Sequence, residues 1–146
     1  MKLKHNANRA HVAGKRVILI DDSIVRGTTS VKIVQMMRDA GATEVHMRIA
    51  SPPITHPDFY GIDTPSQDAL LAANHSLEAM RDYIGADSLA FLSVDGLYQA
   101  MGHAQGRNPD RPQFTDHCFT GDYPTGLADQ QGGDHLHQLS LLSEQG

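Results

Sequence analysis

Two adjacent carboxylates, Asp21 and Asp22, close the apolar run Val17-Ile18-Leu19-Ile20 and open the segment Ser23-Ile24-Val25-Arg26-Gly27-Thr28-Thr29-Ser30. Paired carboxylates accept hydrogen bonds from the vicinal hydroxyls of a ribose, or bind magnesium directly or through its water shell. The loop through Arg26-Gly27-Thr28-Thr29 brings backbone N–H groups and hydroxyls to a helix amino terminus, where the dipole and the unpaired donors favour a dianionic phosphate. Gly27 permits the backbone geometry and close approach that such a cradle needs. A ribose 5-phosphate fits this pattern, with its hydroxyls on Asp21 and Asp22 and its phosphate held along Ser23, Arg26, Gly27, Thr28, Thr29 and Ser30. Asp21 and Asp22 are also the candidate magnesium ligands, and no side chain stands out as acid, base or nucleophile. Arg26 either reaches the phosphate or points to solvent. For an acid pair alone, capping of a strand-to-helix turn would be the better reading. The combination of apolar strand, two acids and Gly-Thr-Thr favours a ligand. No Gly-Lys-Ser/Thr follows, which argues against a nucleoside triphosphatase.

These residues need a strand before them and a helix behind them. The unbroken apolar run Val17 to Ile20 predicts a central parallel strand covered on both faces. From Thr29 to Ala40, Val31, Val34 and Met37 fall at helical spacing; the preceding Ser and Thr can cap, and Gly41 supplies the stop. Glu44 to Ser51 reads as the next strand, so residues 17–51 form a βαβ unit in a parallel sheet. Pro52, Pro53, Pro57 and Pro65 mark an ordered loop. Ser66 to Asn74 and Ser76 to Ile84 read as short helices, Ser88 to Ser93 as a third strand and Val94 to Met101 as a short helix. After Gly102 the chain turns to Gly, Gln, Asp, His and Pro. Residues 1–102 are therefore taken as the α/β domain and 103–146 as a largely irregular, loosely docked tail.

The 146 residues and 40% hydrophobic content suit one domain, with no room for a second full one. A net charge of -5 without a basic cluster disfavours nonspecific nucleic-acid binding. No apolar stretch approaches the roughly 20 residues of a membrane helix and no signal peptide opens the chain, so a cytoplasmic location is expected. The single cysteine, Cys118, excludes an internal disulfide and fits a reducing compartment.

The string Ile20-Asp21-Asp22-Ser23-Ile24-Val25-Arg26-Gly27-Thr28-Thr29-Ser30 resembles the phosphoribosyl pyrophosphate motif of type I phosphoribosyltransferases, and in particular that of the amidophosphoribosyltransferase family. The resemblance runs over about residues 1–126, through Gly41 to Ile54, Phe59-Tyr60-Gly61-Ile62-Asp63, Ile84 to Leu89 and Cys118-Phe119-Thr120-Gly121-Asp122-Tyr123-Pro124-Thr125. It implies the type I fold, of which this chain supplies the later strands. It also implies magnesium as cofactor, a homo-oligomer, and the purine-biosynthetic formation of phosphoribosylamine from phosphoribosyl pyrophosphate and glutamine-derived ammonia. Asp21 and Asp22 then serve the ribose hydroxyls and magnesium, and the Ser23 to Ser30 loop holds the 5-phosphate.

Two departures from the family pattern bear on this. Members with a [4Fe-4S] cluster carry cysteines where this chain has Asp58 and Thr115, so no iron–sulfur cluster is expected. The family's glutaminase domain begins at a catalytic cysteine that residues 1–20 lack, and the first half of the phosphoribosyltransferase fold would lie upstream. The chain is thus expected to be the carboxy-terminal part of such an enzyme, aggregation-prone alone because a sheet edge and an apolar face are open. The alternative is a non-catalytic ribose-phosphate binding module or remnant. Among the nine histidines, His135 and His137 read as solvated tail, and His56 reads either as a loop anchor or as facing a ligand. Cys118 has no motif-level partner for a nucleophile, and Met36, Met37 and Met47 read as core filling.

Overall fold

The apolar run ending at Asp21 forms strand β1 (Arg16–Asp21), and the spacing of Val31, Val34 and Met37 forms helix α2 (Thr28–Asp39) behind it. The computed structural model of the chain describes residues 7–125. A four-residue helix α1 (Arg9–Val12), capped by the Asn8 side chain accepting from the Ala10 N–H at 3.1 Å, precedes β1. After α2 come β2 (Glu44–Ile49), a 3-10 turn (Gln67–Ala69), α3 (Leu71–Asn74), α4 (Leu77–Ile84), β3 (Ser88–Phe91), α5 (Val94–Ala100) and α6 (His117–Thr120). The three strands form a parallel sheet in the order β1-β2-β3, with Val17 opposite Val45, Leu19 opposite Met47 and Met47 opposite Leu89. The α/β class and the parallel sheet are those the sequence predicts.

One face of this sheet carries the core. Val45, Met47, Ile49 and Leu89 pack with Val34 of α2, Met80 and Ile84 of α4, and Ile24 and Leu71. Asp87 ties the layers together: one carboxylate oxygen accepts from the Val45 N–H at 2.6 Å and from Arg38 of α2 at 2.8 Å. The Val45 N–H, with Arg38 behind it, outweighs burial and holds this carboxyl below its usual range.

The other face corrects the expectation that β1 is covered on both sides and agrees with that of an open edge and apolar face. Ile18 and Ile20 are 65% and 79% exposed, so among the described residues β1 is an edge strand covered on one face only. A continuous apolar run signals a strand buried on both sides, but it cannot say which chain segment provides the second cover.

Two helix expectations also change. No Ser or Thr side chain caps α2; Gly27 occupies the cap position in the left-handed region, at φ 75°. The helix expected over Ser66 to Asn74 breaks at Leu70, which is extended and fully buried. There the Leu71 N–H donates to the Val25 carbonyl at 2.8 Å instead of continuing a helix. The Asn74 side-chain amide donates to the carbonyls of Gln67, Asp68 and Leu70, tying the break to the end of α3.

Residues 103–125 hold only the short α6 as a regular element, yet they are pinned by buried polar groups. Asp116, 3% exposed, accepts from the Tyr98 hydroxyl at 2.8 Å and from Arg107 at 2.5 Å, and Arg107 also reaches Asp122 at 2.5 Å. Burial alone would push the Asp116 carboxyl up, but Arg107 and Tyr98 outweigh it and hold it below the usual carboxylate range. Burial, with Asp116 behind it, pushes the Tyr98 hydroxyl up. Residues 126–146, including His135 and His137, lie outside the described residues.

Met47→Ala should cost about 2–5 kcal/mol in urea unfolding, because Met47 is fully buried. Ile20→Thr should stay within about 0.5 kcal/mol, since its side chain lies outside that core. The folded Asp116 carboxyl sits below its unfolded value, so its contribution is complete above the ordinary carboxylate range and is lost as pH falls through the lower folded value. Asp116→Asn should therefore cost about 1–3 kcal/mol near neutrality and flatten the fall in stability on acidification, read from urea midpoints at stepped pH.

Candidate functional site

Strand β1 ends with Asp21 half-buried and Asp22 exposed. The Asp21 carbonyl accepts from the Ala50 N–H at 2.9 Å, which fixes the strand end against the start of the long loop after β2. Among the described residues each carboxylate is bonded through one oxygen only. Asp21 Oδ1 accepts from the Asp22 N–H at 3.1 Å, and Asp22 Oδ1 accepts from the Ser23 N–H at 2.7 Å and its hydroxyl at 3.4 Å. Among the described residues neither acid has a salt-bridge partner, and neither has Arg26.

From Ser23 the chain dips into the core and returns. Ile24, 2% exposed, anchors it in the apolar cluster with Leu71. The bond from the Leu71 N–H to the Val25 carbonyl then holds the loop on α3. Gly27 is buried, and a Cβ there would come within 2.7 Å of Leu71 Cδ2 and 3.1 Å of Tyr83 Cε1. Its left-handed backbone adds a second reason for glycine. The first helical bond of α2 runs from the Val31 N–H to the Gly27 carbonyl at 3.0 Å, so the N–H groups of Thr28, Thr29 and Ser30 precede the ladder. With no side chain capping the helix, those donors remain available to a ligand.

Asp21, Asp22, Ser23, Arg26, Gly27, Thr28, Thr29 and Ser30 all line one open cleft of about 440 Å³. Ser30 is 2% exposed, whereas Thr28 and Thr29 are exposed. Asp63 and Pro65, from the long loop, form the facing wall. Neither was singled out from sequence, although Asp63 lies in the Tyr60-Gly61-Ile62-Asp63 string; an acid next to a proline-marked ordered loop was the only available signal. Asp21, Asp22 and Asp63 give the cleft a cation-attracting rim, and the α2 terminus gives it an anion-attracting floor.

The remaining candidates fall elsewhere. His56 bonds to the Thr55 hydroxyl at 2.9 Å and packs against Gly121, where a Cβ would come within 2.7 Å of its ring. It anchors the loop, one of the two readings its sequence position allowed. Burial pushes the Cys118 thiol up, which does not favour a thiolate nucleophile. Asp58, Thr115's neighbour Asp116 and His117 are all buried, and Asp58 bonds His117.

No family model matches the chain. An amidophosphoribosyltransferase of Rhizobium etli is 65% identical over 147 residues, which span 100% of this chain and 29% of that protein. The Bacillus subtilis amidophosphoribosyltransferase is 54% identical over 97% of the chain and 29% of its own length. The solved glutamine phosphoribosylpyrophosphate amidotransferase of B. subtilis, complexed with ADP and GMP, superposes with a TM-score of 0.74 at 55% identity, covering 84% of this chain and 26% of that one. A second structure, titled as the allosteric regulatory enzyme of purine biosynthesis, gives 0.73 at 54% identity over the same shares. The chain thus spans about three tenths of the length of these curated relatives. By sequence and by fold, it belongs to the amidophosphoribosyltransferase family over the part of those proteins that it matches.

Proposed function

We propose that the cleft binds the ribose 5-phosphate portion of phosphoribosyl pyrophosphate and that the chain serves the glycosyl transfer of purine biosynthesis. The reaction forms 5-phosphoribosylamine: the nitrogen of ammonia bonds to C1, the C1–oxygen bond breaks, pyrophosphate leaves with the electron pair, and the nitrogen loses a proton. The observation that carries this reading is the free amino terminus of α2 beside two carboxylates without salt-bridge partners, in one cleft. The N–H groups of Thr28, Thr29 and Ser30 would take the 5-phosphate, with the Thr28 and Thr29 hydroxyls beside them. Asp21 and Asp22 would accept from the ribose hydroxyls, fixing C1 relative to the nucleophile.

Magnesium fits the same residues. Three acids line the cleft, and their charge opposes a pyrophosphate unless a cation intervenes. Each of Asp21 and Asp22 engages a single carboxylate oxygen in the described bonds, leaving an oxygen for a hard cation or its water shell. When bound, the ion would offset charge on the departing pyrophosphate. The protein's own part is to hold the sugar phosphate and orient it, which is where positioning and electrostatic stabilisation enter. The homo-oligomer and cytoplasmic setting belong to the same proposal; among the described residues no helix is long and apolar enough to cross a membrane.

Calorimetric titration of phosphoribosyl pyrophosphate with magnesium into this chain tests the reading. The parent should bind, and Asp21→Asn combined with Asp22→Asn should weaken binding by about tenfold or more while circular dichroism stays unchanged. Equal affinity in parent and variant would sink the assignment. A folded parent that binds nothing would mean that this chain alone does not form the site.

A further inference from the structure

We propose that Asp58 and His117 are positioning residues for the cleft: their buried hydrogen bond sets the 58–65 loop, and with it the wall formed by Asp63 and Pro65. The inference rests on the sugar-phosphate reading of that cleft. Asp58 is 9% exposed and His117 is 4% exposed. His117 Nε2 donates to Asp58 Oδ1 at 2.6 Å, while Asp58 Oδ2 accepts from the N–H groups of Tyr60 at 2.9 Å and Ile62 at 2.7 Å. The Asp58 N–H donates to the Thr64 hydroxyl at 2.5 Å, closing the loop on itself between Asp58 and Thr64. One carboxylate therefore sets the backbone on the near side of Asp63, and one amide sets it on the far side.

Burial would by itself raise the Asp58 carboxyl; the Ile62 and Tyr60 N–H groups and His117 outweigh it and hold it below its usual range. Among the described residues His117 Nδ1 has no hydrogen-bond partner, so the ring's place is set there by Asp58 and by aromatic packing. The rings of Tyr60 and Tyr123 lie 4.9 and 5.1 Å from the His117 ring. His117 is held from below as well. The adjacent Cys118 carbonyl accepts from the N–H groups of Thr55 and His56, and the preceding Asp116 is fixed by Tyr98 and Arg107. A continuous set of buried bonds thus runs from α5 through residues 116 and 117 to Asp58 and out to the cleft wall. Residues 116–118, far from the cleft in sequence and forming none of its lining, determine where Asp63 stands.

The test uses the full chain, with amide hydrogen exchange and calorimetric titration of magnesium phosphoribosyl pyrophosphate. Asp58→Ala should speed exchange at Tyr60 and Ile62 by about tenfold or more, leave Met47 and Leu89 protected, and weaken binding about tenfold. Asp58→Asn, whose amide oxygen still accepts from both N–H groups, should keep affinity within about threefold of the parent. If Asp58→Ala loses protection across the whole sheet, His117→Ala decides instead. It leaves the carboxylate and its backbone bonds in place and should weaken binding by at least about threefold with the sheet intact. Unchanged affinity in a folded Asp58→Ala or His117→Ala chain overturns the proposal and leaves the sugar-phosphate reading standing. A folded parent that binds nothing means that this chain alone does not form the site; the positioning then stands or falls on whether Asp58→Ala speeds exchange at Tyr60 and Ile62. Zinc forms a separate arm, because donor atoms of Asp58, His117 and Cys118 lie within 4.8 Å of one another. A melting temperature raised by one equivalent of zinc, and not raised in Asp58→Asn, would assign the cluster to a cation and overturn the proposal.

Discussion

The site depends on one close approach, that of the Gly27 backbone to Leu71 and Tyr83. A Cβ there would come within 2.7 Å of Leu71 Cδ2, so Leu71 would have to shift, and the left-handed φ of 75° would strain any larger residue. Because the chain can pass so near α3 and α4, the loop after β1 turns sharply enough for α2 to begin beside the strand end. The acids and the free N–H groups then share one cleft. The break in the helix at Leu70 follows from the same constraint. A continuous helix would use the Leu71 N–H internally, whereas here it donates to Val25 and holds the loop down. Local helix propensity gives way to a tertiary bond that the site requires.

The cleft divides its electrostatics between two kinds of element. Its floor is backbone, with donors fixed by the geometry of α2 and independent of pH. Its rim is carboxylate, supplied by Asp21 and Asp22 from β1 and by Asp63 from the long loop. That division suits a ligand with a phosphate at one end and a cation-bridged, polyanionic group at the other. On the account proposed above the two walls have different main supports, core packing of Ile24 for one and the buried polar set around Asp58, His117 and Asp116 for the other.

The wall built on β1 and α2 was legible in the sequence because all its parts are contiguous. An apolar run, two acids and Gly-Thr-Thr fall within residues 17–30, and strand-to-helix geometry brings them together without distant help. The wall carrying Asp63 was not, because its support comes from residues more than fifty positions away. Asp58 reads alone as a change from cysteine, and His117 as one histidine among nine; only the fold brings them to 2.6 Å. The cover that the apolar run implies for the second face of β1 was misread for a related reason. Hydrophobicity records what a surface is suited to meet, and Ile18 and Ile20 meet nothing among the described residues. Breaks such as the one at Leu70 escape periodicity altogether, since the residues on both sides keep a helical pattern.

The central claim is that backbone donors at the start of α2 hold the phosphate. Amide chemical shifts recorded while ribose 5-phosphate is titrated into the labelled chain address it directly. The account predicts that the largest changes fall on Gly27, Thr28, Thr29 and Ser30, saturating together, with the α5 amides unmoved. Shifts that centre on another segment while those four stay still would contradict it.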